Sequence, residues 1–247
     1  MLGLINSLIH GTLITEKGTA LFDGNDSYEA ADSNDFTVGY DTNHYAVGFR
    51  LNLDAFSGTQ GIMMKDDEWS IYFYNGNFYF SLHDESEAAF QYWGASAGHI
   101  SGDTIATGGI VTDGAWHHFL FRTDYNGIVV DGVAHTASGG TGLGWVADEN
   151  TTSKLYIGKG KALHANDTDI YMTGEIDDVV IWKLGSAMTD AQALAYTNSG
   201  DLINPLANSG NYNVSSSVVA YYKFDDLTDS STNSHTLSIS ESDPVLI

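Results

Sequence analysis

The 247-residue chain contains no cysteine, which excludes disulfide bracing, thiolate metal ligation and a cysteine nucleophile. Proline is almost absent: two residues against 27 glycines leave the turns to Gly, Asn, Asp and Ser. Positive charge is equally scarce, with nine Lys and Arg against 32 Asp and Glu and a formal net charge of −23. Such a surface repels phosphate backbones and anionic lipid headgroups, arguing against nucleic acid and membrane as partners and agreeing with cation binding or a saline medium. The densest basic cluster is only Lys154, Lys159 and Lys161. Long apolar runs are missing too. Residues 1–14, MLGLINSLIHGTLI, are apolar but lack a positive flank and are too short to span a bilayer, so they read as neither signal peptide nor transmembrane helix. Leu2, Ile5, Leu8 and Ile9 fall at helical spacing, so residues 1–15 are expected to be an arm, docked on a neighbouring subunit or folded back on its own domain.

What remains is a chain of short β-type runs between turn residues from about residue 12 to 183, the pattern of an all-β sandwich. The sharpest local signal is Glu68–Leu82, EWSIYFYNGNFYFSL, where Asn75-Gly76 is a two-residue hairpin turn. Folding about it pairs Phe73 with Phe78, Ile71 with Phe80 and Trp69 with Leu82 on one face. Tyr72 and Tyr79, with Tyr74 nearby, take the other face, as a stacking platform for sugar rings, a protein interface or a surface covered by a loop. His117 and His118 are adjacent on a strand, point to opposite faces and cannot share a metal ion. The glycine-rich run 137–152 lacks the Lys-Ser or Lys-Thr of a phosphate loop and reads as a long loop, in which Trp145 is a candidate ligand contact.

Gly174–Tyr196 reads as a buried strand, a turn and one short helix near 190–198, with a capping box at Thr189-Asp190-Ala191-Gln192. Glu175 and Asp177 sit two apart, so a regular strand points both carboxylates to one face, as in a retaining glycosidase. The next position on that face is Val179. Strict alternation puts Ile176, Asp178, Val180 and Trp182 on one face and Glu175, Asp177, Val179 and Ile181 on the other. Residues 201–247 are expected to form an ordered extension, with strands at 218–224 and 236–239 packed on the same sandwich.

Four segments, ALFDGNDSYEA (Ala20–Ala30), DGAWHHFLFRTD (Asp113–Asp124), LYIGKG (Leu155–Gly160) and GEIDDVVIWKLGSAMTDAQALAY (Gly174–Tyr196), together resemble the laminin-G-like, concanavalin A-like lectin/glucanase domains. The resemblance covers about residues 16–200 and implies an all-β, antiparallel two-sheet jelly roll. SVVAYYKFDDLTDSSTNSHTLSI (Ser217–Ile239) resembles the segment that usually opens such domains but stands near the C-terminus, an order that resembles virion structural proteins of tailed phages.

The resemblance implies three functions. A glucanase of this superfamily carries Glu, a hydrophobic residue, Asp and a second Glu on one strand face; here Val179 replaces the required carboxylate, and the expectation is no enzyme. A carbohydrate-binding module, calcium-assisted, would use Asp26 of the Asp-Gly-Asn-Asp turn, with Asp23, and Asp177 on the closing strand, all hard oxygen ligands; Asp23 and Asp26 equally suit plain turn stabilisation. A structural component of a virus particle, homo-oligomeric and held to other virion proteins by the arm, fits the missing carboxylate and the motif order. That is the reading adopted from sequence, with binding of host-surface glycans as its alternative.

Overall fold

The computed structural model describes residues 18–37, 44–55, 58–66, 68–74, 77–84, 89–93, 99–101, 114–122, 127–136, 151–161, 168–197, 203–242 and 244–247. In chain order the strands are β1 (Ala20–Asp23), β2 (Ser27–Ala30), β3 (His44–Leu53), β4 (Thr59–Lys65), β5 (Trp69–Tyr74) and β6 (Asn77–Asp84). There follow β7 (Ala89–Trp93), β8 (His99–Ser101), β9 (His117–Arg122), β10 (Gly127–Val130), β11 (Val133–Thr136) and β12 (Leu155–Ile157). The last are β13 (Lys159–Lys161), β14 (Asp169–Tyr171), β15 (Thr173–Leu184), β16 (Val218–Tyr222), β17 (Leu237–Glu241) and β18 (Val245–Leu246). One α-helix, α1 (Asp190–Thr197), occurs among the described residues.

These strands make an antiparallel two-sheet sandwich of the jelly-roll type. One sheet, here the front, runs β11-β10-β9-β3-β15-β1-β18, with β16 also pairing β15; the back sheet runs β17-β2-β12-β4-β5-β6-β7, with β8 pairing β6. Between them lies a core rich in aromatic rings, among them Phe49, Phe119, Phe121, Phe78, Phe80 and Trp69, all at most 1% exposed. The hairpin registers Phe73↔Phe78, Ile71↔Phe80, Trp69↔Leu82 and Tyr72↔Tyr79 are those the sequence pattern predicts. The turn residues 75–76 lie outside the described residues. β16, β17 and β18 pair β15, β2 and β1 respectively, so the C-terminal segment contributes strands to both sheets.

The helix is capped as its sequence predicts: the Gln192 N–H donates to Thr189 Oγ1 at 3.3 Å, and the Thr189 N–H donates to Gln192 Oε1 at 2.7 Å. α1 and residues 203–221 bury a second apolar layer on the outer face of the front sheet, built from Trp182, Tyr196, Tyr212, Tyr221, Val180 and Met188. Gly48 makes room for it, because a Cβ there would lie 2.7 Å from the Tyr196 ring.

β15 departs from strict alternation. The register against β3 slips between Asp177↔Arg50 and Val180↔Gly48, so two residues of β15 face one of β3, a β-bulge. Asp178 sits in it at φ 49°, a left-handed conformation that aspartate tolerates better than most residues. The bulge reverses the facing of everything beyond it. Ile176, Val179 and Ile181 join the core between the sheets, whereas Val180, Trp182 and Leu184 face outward. Placing Ile176 with Val180 and Trp182, as alternation does, is thus corrected by one extra residue.

Candidate functional site

The helix and its layer cover only one half of the front sheet's outer face. On the other half, the alternation of β3 turns Arg50 and Asn52 outward, because Phe49, Leu51 and Leu53 enter the core. Glu175 stands opposite Asn52 on β15, Leu21 of β1 opposite Glu175, and Val245 of β18 opposite Leu21. Trp116 immediately precedes β9 on the other side of β3, and the Arg50 guanidinium lies 4.9 Å over its ring. Trp116, Asn52, Glu175 and Leu21 are half-buried, so the row offers an indole, an amide, a carboxylate and an isobutyl group to a ligand. Strands about 4.8 Å apart set Trp116 and Glu175 roughly 10 Å from each other, with Asn52 between, a span suited to a small oligosaccharide.

The row above it is electrostatically closed. Asp177 is 0% exposed and lies 3.4 Å from the Arg50 guanidinium, while its other oxygen accepts the Asp178 N–H at 2.6 Å. Asp178 accepts the Tyr221 hydroxyl at 2.6 Å. Burial, reinforced by the neighbouring Tyr221, Tyr212 and Asp177, pushes the Tyr196 phenol well above its ordinary range, so it stays neutral beside them. Arg50 is thereby committed to Asp177 and Trp116. Glu175, by contrast, accepts only the Thr19 hydroxyl at 3.5 Å and enters no salt bridge among the described residues. The Asn52 side-chain oxygen is buried without a hydrogen-bond partner among the described residues. Buried polar atoms are normally paired, and the described residues supply no donor to this one.

Sequence reasoning brings Glu175 and Asp177 to this outer face correctly, since both precede the bulge. It misses Trp116, Arg50 and Asn52, although the alternation of YAVGFRLNL contained the signal for the last two. Val179 lies in the core at 0% exposure, so position 179 would offer a glutamate to the interior rather than to a substrate.

The other candidates lie elsewhere. Tyr72 and Tyr79 stack with ring centroids 5.0 Å apart and planes at 2°, but are 0% and 7% exposed under Ile170 of the β13–β14 hairpin. A sugar cannot reach those rings without displacing β14, and only Tyr74 is half-buried. Trp145 lies outside the described residues. Asp26 is buried and accepts the Asp23 N–H at 3.0 Å, the geometry of a self-stabilised turn. Asp23 pairs with Thr173, four residues along β15 from Asp177, so the three aspartates nominated for calcium do not converge. Among the described residues no group of three or more His, Cys, Asp or Glu side chains is disposed to hold a metal ion. His117 bonds Asp131 at 2.6 Å through Nδ1, and the His118 ring packs on Tyr196 at 4.5 Å, so the two do point apart.

Comparison with known proteins agrees with this architecture. A family model described as the concanavalin A-like lectin/glucanases superfamily matches residues 23–193, more than half of the chain. Among curated proteins nothing matches. Solved structures of similar fold include a Bacteroides ovatus protein proposed to bind carbohydrate, at 14% identity and a TM-score of 0.51 over 93% of this chain and 61% of that one. This chain thus spans less than two thirds of that protein's length. A heptameric SAP-like pentraxin from Limulus polyphemus is similar at 14% identity and a TM-score of 0.50, with 94% of each chain covered. The CBM40 of a Ruminococcus gnavus IT-sialidase, bound to α2,3-sialyllactose, aligns at 8% identity and a TM-score of 0.47 over 73% of this chain and 96% of that one.

Proposed function

This chain belongs to the concanavalin A-like lectin/glucanases superfamily, and from that premise we propose that it is a non-catalytic binding module whose ligand is carbohydrate. The observation that carries the reading is the half-buried row Trp116, Asn52, Glu175 on the outer face of the front sheet. Sugar rings present just what such a row recognises: hydroxyl groups that donate to an amide and a carboxylate, and an apolar C–H face that packs on indole. Hydrolysis is disfavoured by the same geometry, because the second carboxylate, Asp177, is buried against Arg50 and position 179 faces the core. The fold of the Bacteroides ovatus protein adds support at the level of architecture. Isothermal titration against a panel of neutral oligosaccharides tests the reading. Trp116→Ala is expected to weaken binding about tenfold, roughly 1.4 kcal/mol, and unchanged affinity in Trp116→Ala and Asn52→Ala alike would place the ligand elsewhere.

A second reading makes the module a homo-oligomeric component of a virus particle, a phage capsid, tail or fibre protein that adheres to host glycans. Its support is an apolar edge: Val245, Leu246 and Ile247 are 50%, 36% and 58% exposed, and Ile247 exchanges backbone hydrogen bonds with Thr19. An apolar strand edge suits a contact between subunits. Quantifying the chain in purified particles checks this, with a fixed copy number per particle expected and its absence from particles counting against it.

A further inference from the structure

Taking the carbohydrate reading as given, we infer that the site selects amino sugars, with a protonated amine seated on Glu175, and discriminates against acidic sugars. Three observations carry this. First, the cations described on this face are already engaged: Arg50, 28% exposed, lies against the fully buried Asp177 and over Trp116, and Lys223 lies 5.5 Å over the Tyr221 ring. A carboxylate or sulfate on the ligand would meet a guanidinium whose charge is balanced and, on the adjacent strand, an unbalanced carboxylate. Secondly, Glu175 is half-buried in the row and, among the described residues, bonded only by a long contact from Thr19. An ammonium placed there gains a charge-assisted hydrogen bond in a partly desolvated setting, whereas a hydroxyl gains only a neutral one. Thirdly, the surroundings are acidic at long range, since the chain carries −23 and the exposed Asp225 accepts the Gly18 N–H at 2.9 Å, beside Thr19. That field concentrates cationic ligands and repels anionic ones.

Asn52 then sorts orientation. Its half-buried side chain meets the sugar bonded to Glu175, so an amine and a neighbouring hydroxyl on one ring engage both residues, leaving the adjoining ring for Trp116. The row thus reads a ring with vicinal amine and hydroxyl groups.

The experiment compares a glucosamine oligosaccharide with the matching glucose oligosaccharide and the matching glucuronate oligosaccharide, titrated at low and at physiological salt. The glucosamine oligomer is expected to bind about fivefold more tightly than the glucose one at low salt, less so as salt rises, and the glucuronate oligomer more weakly than both. In Glu175→Gln the amine preference falls to about one. Glu29→Gln removes the same unit of charge from the outer face of the back sheet, where Glu29 pairs with Lys154, and keeps the preference. A preference that survives Glu175→Gln would show general attraction to an acidic surface and overturn the inference, as would tighter binding of the uronate. Binding of glucose oligomers with no gain from the amine removes this inference but leaves the carbohydrate reading standing. No binding by any of the three removes both.

Discussion

Asp131 illustrates how single side chains fix the loops around the site. Burial raises its carboxyl, but the hydrogen bonds from His117 Nδ1 at 2.6 Å and from the His118 N–H at 2.8 Å outweigh it and hold the group below its ordinary value. A carboxylate whose folded pKa lies below its unfolded one stabilises the fold fully above about pH 4, and that contribution is lost as pH falls through the lower folded value. Asp131→Asn is therefore expected to melt below the wild type at neutral pH, with the difference narrowing on acidification toward pH 2. A difference that widens on acidification would contradict this assignment. The same residue closes the β10–β11 turn at φ 48°, next to the strand that Trp116 opens, so its loss also loosens one end of the proposed row. Residue identities of this kind were partly legible. His117 and His118 diverge because a strand alternates, which any extended stretch reveals. That His117 finds Asp131 depends on the β9–β10 pairing, which the residues 117–118 do not encode by themselves.

At the scale of elements, legibility followed locality. The β5–β6 hairpin was readable to the exact register because its turn and both strands lie within sixteen residues, and the capping box was readable because Thr189 and Gln192 are one turn apart. The bulge at Asp178 was not. A single inserted residue leaves the composition of β15 unchanged, and only the partner strand β3 reveals that two residues face one. The cover over the tyrosines was hidden for a similar reason: it comes from β13 and β14, some 90 residues further along the chain. That hairpin is seated by backbone contact. At Gly61 a Cβ would collide with the Gly160 and Ile170 backbones, neither of which can turn aside. Gly61→Ala should therefore cost about 2 kcal/mol and lower the melting temperature by roughly 5 °C, whereas Gly185→Ala, where a Cβ meets nothing within 4 Å, should melt as the wild type does. Wild-type melting in Gly61→Ala would mean that the hairpin is not packed on β4 as described. Lys159 reinforces the seat, reaching Asp169 at 2.7 Å and Glu241 at 3.1 Å between the rings of Tyr156 and Tyr171. Opposing burial, these two hydrogen bonds raise its pKa and keep it charged.

For the molecule as a whole, the sandwich separates tasks by face. The back sheet's outer surface is tied down by the β13–β14 hairpin and its ion pairs, and one half of the front sheet is sealed by α1 and the C-terminal segment. The half that stays open carries the row Trp116, Asn52, Glu175, and this is the surface the carbohydrate reading requires. The spacing of short strands and turns foretold the class of fold, because that pattern repeats along the whole chain. It could not foretell which face stays open, since that depends on where long-range covers land. The most direct test is chemical-shift mapping of the labelled protein during titration with the oligosaccharide that binds best. The account predicts shifts concentrated on the Trp116 indole N–H, the Asn52 side-chain amide and the backbone around Leu21 and Glu175, with Tyr72 and Tyr79 undisturbed. Shifts centred on Tyr74, Tyr156 and Tyr171, with the Asn52 amide unmoved, would contradict it.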